Sequence, residues 1–426
     1  MASGGGRGGE IVSSVAVITD PYTAAFAARE PDALQELRAA AMERFVSLGF
    51  PTIKNEEWRF TNLAPFLKEP YAPAPQPSFE LVERQGGAGI VFMDGWFMPE
   101  LSVAPAGIEL RSLLDGPGAG LVGRGAAFEK NALVALNTAM FAGGVYIRIP
   151  DGTVLDEPIS ILHAATAARR QASFPRVLVV AGRDVQARVI EYFASTGEQF
   201  TCAVTEISAA EGAHIEHYKI QMESGQALHF GHLATRQGRS STVASFNIAF
   251  GAALARNEIA AALDGEGAEC TLNGLYVAGG RQHVDNYSTL EHIAPHTASR
   301  ELYKGVLDGA SRAVFHGRIV VRPEAQKTDA IQRNRNLLLS KEAVVNTKPQ
   351  LEIYADDVRC THGATVGQVD EDAVFYLRSR GIPRAGARAL LTFAFAGEIT
   401  DQIGIESVRE RLADELRRRL GSDEAA

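Results

Sequence analysis

RVLVVAGRDVQARVIEYFASTGEQFTCAVTEISAAEGAHIEHYKI (176–220) decides the architecture. It holds four short runs, RVLVVA (176–181), QARVIEYF (186–193), TCAVTEI (201–207) and HIEHYKI (214–220), most of them close to a glycine turn. Runs this short, rich in β-branched and aromatic residues, read as strands. GVYIRI (144–149) precedes the stretch and STVASFNIAF (241–250) follows it, with few helix-like segments between. The turns come in two sets: Gly182-Arg183, Gly238-Arg239 and Gly280-Arg281, and Gly212-Ala213, Gly267-Ala268 and Gly309-Ala310. In chain order most steps between them are 26 to 30 residues, with one of 13. A rough period of this size predicts a mainly β fold with a parallel β-solenoid core, each coil burying its apolar face on the next. A β-sandwich is the alternative for the same strand composition.

Outward from this core the pattern turns helical at both ends. Residues 1–10 are glycine-rich and predict a flexible tail. Pro31-Asp32 can open a helix in which Leu34, Leu37, Ala41, Phe45 and Leu48 recur at helical spacing before Gly49 ends it. EPYAPAPQPSFE (69–80) reads as a proline-rich linker. Beyond residue 367, a helix from Glu371 to Arg380 is stopped by Gly381, and Pro383 opens the next. That helix carries ALLTFAFA (389–396), apolar nearly all round and therefore buried or at an interface. A last helix places Ile405, Val408, Leu412, Leu416 and Leu420 on one face. The expected organisation is a tail (1–10), an N-terminal helical domain and linker (11–85), the β core (86–366) and a C-terminal helical domain (367–426).

The 426 residues are 46% hydrophobic and 22% charged, with formal net charge −9. The acidic balance argues against general affinity for nucleic acid or an anionic membrane. Cys202, Cys270 and Cys360 are odd in number and far apart, so no disulfide framework is expected. With no secretory h-region and no apolar stretch long enough to span a bilayer, a cytoplasmic location is expected.

Motifs for common chemistries are missing. No Gly-Lys dipeptide occurs, hence no phosphate-binding loop, and there is no G-x-S-x-G, HExxH or C-x-x-C. The chain is not expected to be an enzyme. His214/His217 and His229/His232 have HxxH spacing, but in strands residues three apart point to opposite faces, so packing is the reading for both. Cys360-Thr361-His362 differs, because i and i+2 share a face and a thiolate and an imidazole can converge on one soft metal or cluster. A structural cysteine beside a hydrogen-bonded histidine remains the bland alternative. Cys202 and Cys270 read as small core residues. Trp58 is expected to be at least semi-exposed between Glu57 and Arg59, and QRNRNLLLS (332–340) to form a polar ladder along the coils.

Two blocks carry a family resemblance. FHGRIVVRPEAQKTDAIQRNRNLLLSKEAVVNTKPQLEIYADDVRCTHGATVG (315–367), with FYLRSRGI (375–382), closely resembles the SufB/SufD family, and KNEEWRFTNL (54–63) is similar to its N-terminal element. The ending LEIYADDVRCTHGATVG resembles the SufD branch. SufB-like chains carry a further cysteine-containing segment upstream, and His-Glu where His362-Gly363 stands here. The resemblance implies a right-handed parallel β-helix between N- and C-terminal α-helical domains. It implies a scaffold subunit of the SUF machinery for iron–sulfur cluster assembly. The implied partners are SufB, through the β-helices, and the ATPase SufC, on the C-terminal helices. It places His362, and Cys360 beside it, at the SufB seam, where a nascent iron–sulfur cluster is held transiently. Reduced flavin also belongs to this complex, with no residue here to which it maps. The competing readings are a β-helix enzyme acting on polysaccharide and an assembly protein with no cluster contact, in which Cys360 and His362 only pack.

Overall fold

The computed structural model describes residues 19–77, 89–115, 118–166 and 170–421; the glycine-rich segment 1–10 lies outside them. Two large sheets dominate, and successive long strands alternate between them. From Val145 onward every pairing between neighbouring long strands is parallel. Each coil thus gives one strand to each sheet, which is a parallel β-solenoid. Paired residues in the regular coils lie between 26 (Leu228 and Leu254) and 32 (Arg312 and Val344) positions apart. The turn period read from the sequence is this coil length.

The inner rows explain why the coils stack. One column runs Val179, Ile207, Thr235, Ala261, Leu290, Ile319, Leu351, each the register partner of the next. Its apolar members join one continuous core between the sheets. Burying a Val, Leu or Ile side chain stabilises by about 1.5–3 kcal/mol, so each coil is worth most when it has a neighbour. The corners need glycine. Gly309 has φ +62°, and a Cβ there would lie 3.0 Å from the backbone of Gly280 in the coil below.

Helices cover the outer faces of both sheets. At the N-terminal end, residues 19–27, Gln35–Leu48 and Ala132–Met140 are helical. Asp32 accepts the Leu34 N–H at 2.9 Å, and Gly49 ends the second helix at φ +65°. Leu48 is exposed despite its helical spacing; Arg38 and Met42 are buried. Ala132–Met140, buried at every position and capped by Asn131, was not anticipated. This group packs with Cys202, Val204, Phe230 and Leu254 on one sheet's outer face. The proline-rich stretch is more than a linker. Ala72 and Pro73 pair in parallel with Gln171 and Ala172, and Tyr71 is buried.

At the other end lie helices Glu371–Ser379, Arg384–Thr400 and Glu406–Leu420. Val408, Leu412 and Leu416 face Ile220, Phe246, Ile248 and Leu275 on the second sheet. In ALLTFAFA, Ala396 is buried in this contact and Leu390 is 49% exposed. The segment is therefore half buried on the solenoid and half open.

Candidate functional site: the open end of the solenoid

The final coil consists of strands Val344–Ile353 and Arg359–Gly367, the outermost strands of their sheets. Their residues are mostly exposed or half-buried, whereas those of the coil beneath are mostly buried. Cys360 and His362 lie on the inward-facing row of the last strand, so the expected i, i+2 juxtaposition is present. Their Cα atoms are two strand residues apart, about 6.6 Å. Cys360 is partly buried against the solenoid core, and burial pushes its thiol up. His362 is exposed.

The two side chains cap different columns. Below Cys360 the register partners are Ala330, Ser299, Cys270, Val243 and Ile215, all small or apolar. Below His362 come Gln332 and Glu301, and then Leu272. Gln332 Nε2 donates to Glu301 Oε2 at 2.6 Å. Burial drives the Glu301 carboxyl up to about 7. Asn334 and Asn336 hydrogen-bond to one another and to Tyr276, which is the polar ladder expected of QRNRNLLLS.

A second polar cluster sits deeper in the solenoid. Glu191 is held by His163 Nε2 at 2.8 Å and His217 Nε2 at 2.9 Å, with Thr205 donating at 2.9 Å. Burial raises its pKa, but the two imidazoles outweigh that and keep it far below the usual carboxylate range. His217 points inward and His214 is exposed; His229 pairs with Glu223 inside, and His232 with Glu258 on the outer face. Neither HxxH pair converges, as strand geometry requires. These inward polar groups escaped a reading that equates inward with apolar. The signal was in HIEHYKIQ, where Ile215, His217, Lys219 and Gln221 share one phase of the strand.

Trp58 is buried, contrary to expectation. The Arg256 guanidinium stacks on its ring at 4.0 Å, while Glu57 and Arg59 stay exposed. Beside it is a cleft of about 300 Å³ lined by Trp58, Arg256, Tyr287 and Arg318. With one face of the indole taken by Arg256, and Arg256 itself also 5.2 Å from the Tyr287 ring, the cleft does not fit the sandwich a flavin ring would need.

Among the described residues, no group of three or more His, Cys, Asp or Glu side chains is arranged to hold a metal ion. No helix among them is long and apolar enough to cross a membrane. Residues 163–395 match the SufBD core domain of SUF system FeS cluster assembly, and residues 20–77 match the SufBD protein N-terminal region. An iron–sulfur cluster assembly SufBD family protein of Synechocystis is 33% identical, with 90% of each chain covered. The iron–sulfur cluster assembly protein SufD of Escherichia coli is 32% identical, covering 92% of this chain and 93% of its own.

The chain belongs to the SufBD family.

SufD of Bacillus subtilis, 25% identical, covers 92% of this chain and 95% of its own length. Membership makes this SufBD protein a scaffold-type member of iron–sulfur cluster assembly. The matched core includes the whole Cys360–His362 strand and its supporting columns.

Proposed function

We propose that this chain is the non-catalytic SufD-type subunit of a cytosolic SUF complex. It pairs with SufB through the open end of its solenoid, docks SufC on its C-terminal helices, and presents His362, with Cys360, to a nascent iron–sulfur cluster at the seam. One observation carries the reading: the last coil leaves its inner row and its strand edges uncovered. An exposed edge is a template for another strand.

The two edges differ. Val344 and Tyr354 donate their N–H groups to Ser311 and Val321 in the neighbouring strand. Alternate residues of a strand donate to the same side, so Pro349 turns its nitrogen to the open edge, where a missing N–H is tolerated. In the other strand Arg359 donates to Thr328. Cys360, His362, Ala364 and Val366 then present their N–H groups outward. The unblocked edge is the one that carries the two candidate ligands.

Two side chains do not complete a cluster's coordination, so the remaining ligands come from the partner or from sulfide. Cys360 must lose its proton to bind iron, and its partial burial works against that until the metal arrives. His362 is the exposed member of the pair, offers a ring nitrogen as ligand, and is the stronger candidate. Against the polysaccharide-enzyme reading, the buried carboxylates Glu191, Glu223 and Glu301 are each bound to an internal partner.

The test is Ala364→Pro. It removes one outward N–H at an edge where proline is sterically tolerated. The free variant should melt like the wild type, and its co-purification with SufB should fall by at least tenfold. Undiminished pairing would sink the edge-docking reading.

A further inference from the structure

The column beneath His362 contains an acceptor with nothing to accept. Gln332 is 0% exposed and its Nε2 is spent on Glu301. Its Oε1 is buried and has no hydrogen-bond partner among the described residues. The amide is also held in place from across the interior. A Cβ on Gly317 would lie 2.2 Å from Gln332 Nε2, so the side chain occupies the slot that this glycine leaves. A buried acceptor left unpaired is destabilising. The next residue in the same column is His362, whose ring carries a donor. Two rungs further down Leu272 interrupts the column and separates this polar pair from the buried Ser245 and His217 beneath it.

We propose that Gln332 is the positioning residue for His362. The exposed His362 ring, which does not reach Gln332 in this structure, turns down onto Oε1, and that oxygen then accepts one ring N–H, fixing the tautomer and leaving the other ring nitrogen free at the open end. Glu301 fixes the amide orientation by taking Nε2, so that oxygen and not nitrogen meets the imidazole. A histidine ligand commonly donates its second ring N–H to such a group, which sets the tautomer and orients the ring. The inference rests on the reading of His362 as a ligand, and it adds the residues that would prepare it.

The experiment uses the full-length chain labelled with ¹⁵N-histidine, without iron, at a pH where the ring is neutral. Long-range proton–nitrogen correlation reports the tautomer, and His362→Gln identifies the signal. In the wild type one tautomer of His362 dominates. Gln332→Met, similar in shape and lacking the amide, should shift the tautomer ratio by about threefold to tenfold, the size of one hydrogen bond. The double variant Glu301→Gln/Gln332→Glu reverses the amide–carboxyl pair and keeps an acceptor oxygen below His362. It should restore the wild-type ratio, and it remains informative if Gln332→Met does not fold. A ratio unchanged by Gln332→Met, or not restored in the double variant, overturns the inference. Normal cluster content in a His362→Ala complex would instead overturn the ligand reading. The two failures are separately visible because the tautomer measurement needs no iron.

Discussion

Arg256 is enclosed by protein yet remains charged. Burial alone would pull its guanidinium down, but Asp285 and Glu258 outweigh that and hold it above its ordinary value. Trp58 covers it, and the Glu57 carbonyl accepts from it at 2.9 Å, so Arg256 helps fasten the N-terminal segment to the solenoid, alongside Thr61 on His283 and Lys348 on Glu56. Arg256→Met would strand two buried carboxylates and should cost about 3–5 kcal/mol, read as a lower denaturant midpoint. A midpoint within error of the wild type would contradict this account of KNEEWRFTNL. Glu301 gives a pH signature. Burial pushes its folded pKa up to about 7, above the ordinary glutamate value of 4.5, so the folded state holds the proton more tightly. That stabilisation is fully present below about pH 4.5 and is lost as pH rises through about 7. Relative to Glu301→Gln, the wild type should therefore lose melting temperature between pH 5 and 8, whereas parallel curves would contradict the assignment. At this scale the sequence showed Cys360 and His362, because i, i+2 in a strand is a local rule. It did not show Gln332 and Glu301 beneath His362, because that column is set by register between residues about 30 positions apart.

The C-terminal helices have two faces with different tasks. The inner face, Val408, Leu412 and Leu416, seals Ile220, Phe246 and Leu275 of the second sheet. Deleting residues 368–426 would bare that apolar surface, so loss of a partner in such a deletion would report aggregation as well as docking. The outer face offers a cleaner test. Phe375 is 70% exposed, Tyr376 57% and Leu390 49%, an unusual set of large apolar side chains to leave in water. Phe375→Ser with Leu390→Ser should leave circular dichroism and melting unchanged and abolish co-purification with the SufC-type ATPase. Retained co-purification would place that contact elsewhere. The last helix was legible because its apolar residues recur at a clean helical period. Ala132–Met140 was not, because a short helix buried on all sides has no polar face to reveal its period.

Across the whole molecule the solenoid is a stack that stops. Every coil from Val145 to Leu338 is covered by a neighbour on its last side, and the coil that ends at Gly367 is not. The glycine corners made the stack readable, since a turn recurring at each coil leaves a period in the chain. Which end stays open depended on three-dimensional register and was not visible, whereas the buried interior charge left a trace in the phase of HIEHYKIQ. The central claim is that this open end takes part in holding the cluster. Iron and acid-labile sulfide per complex, measured after reconstitution with SufB and SufC, test it most directly when wild type is compared with His362→Ala. Gel filtration in the same preparation confirms assembly. The variant complex should stay intact with markedly less iron and sulfide, and Cys360→Ala should show a milder loss. An intact His362→Ala complex carrying the wild-type iron and sulfide content would contradict it and leave Cys360 and His362 as packing residues.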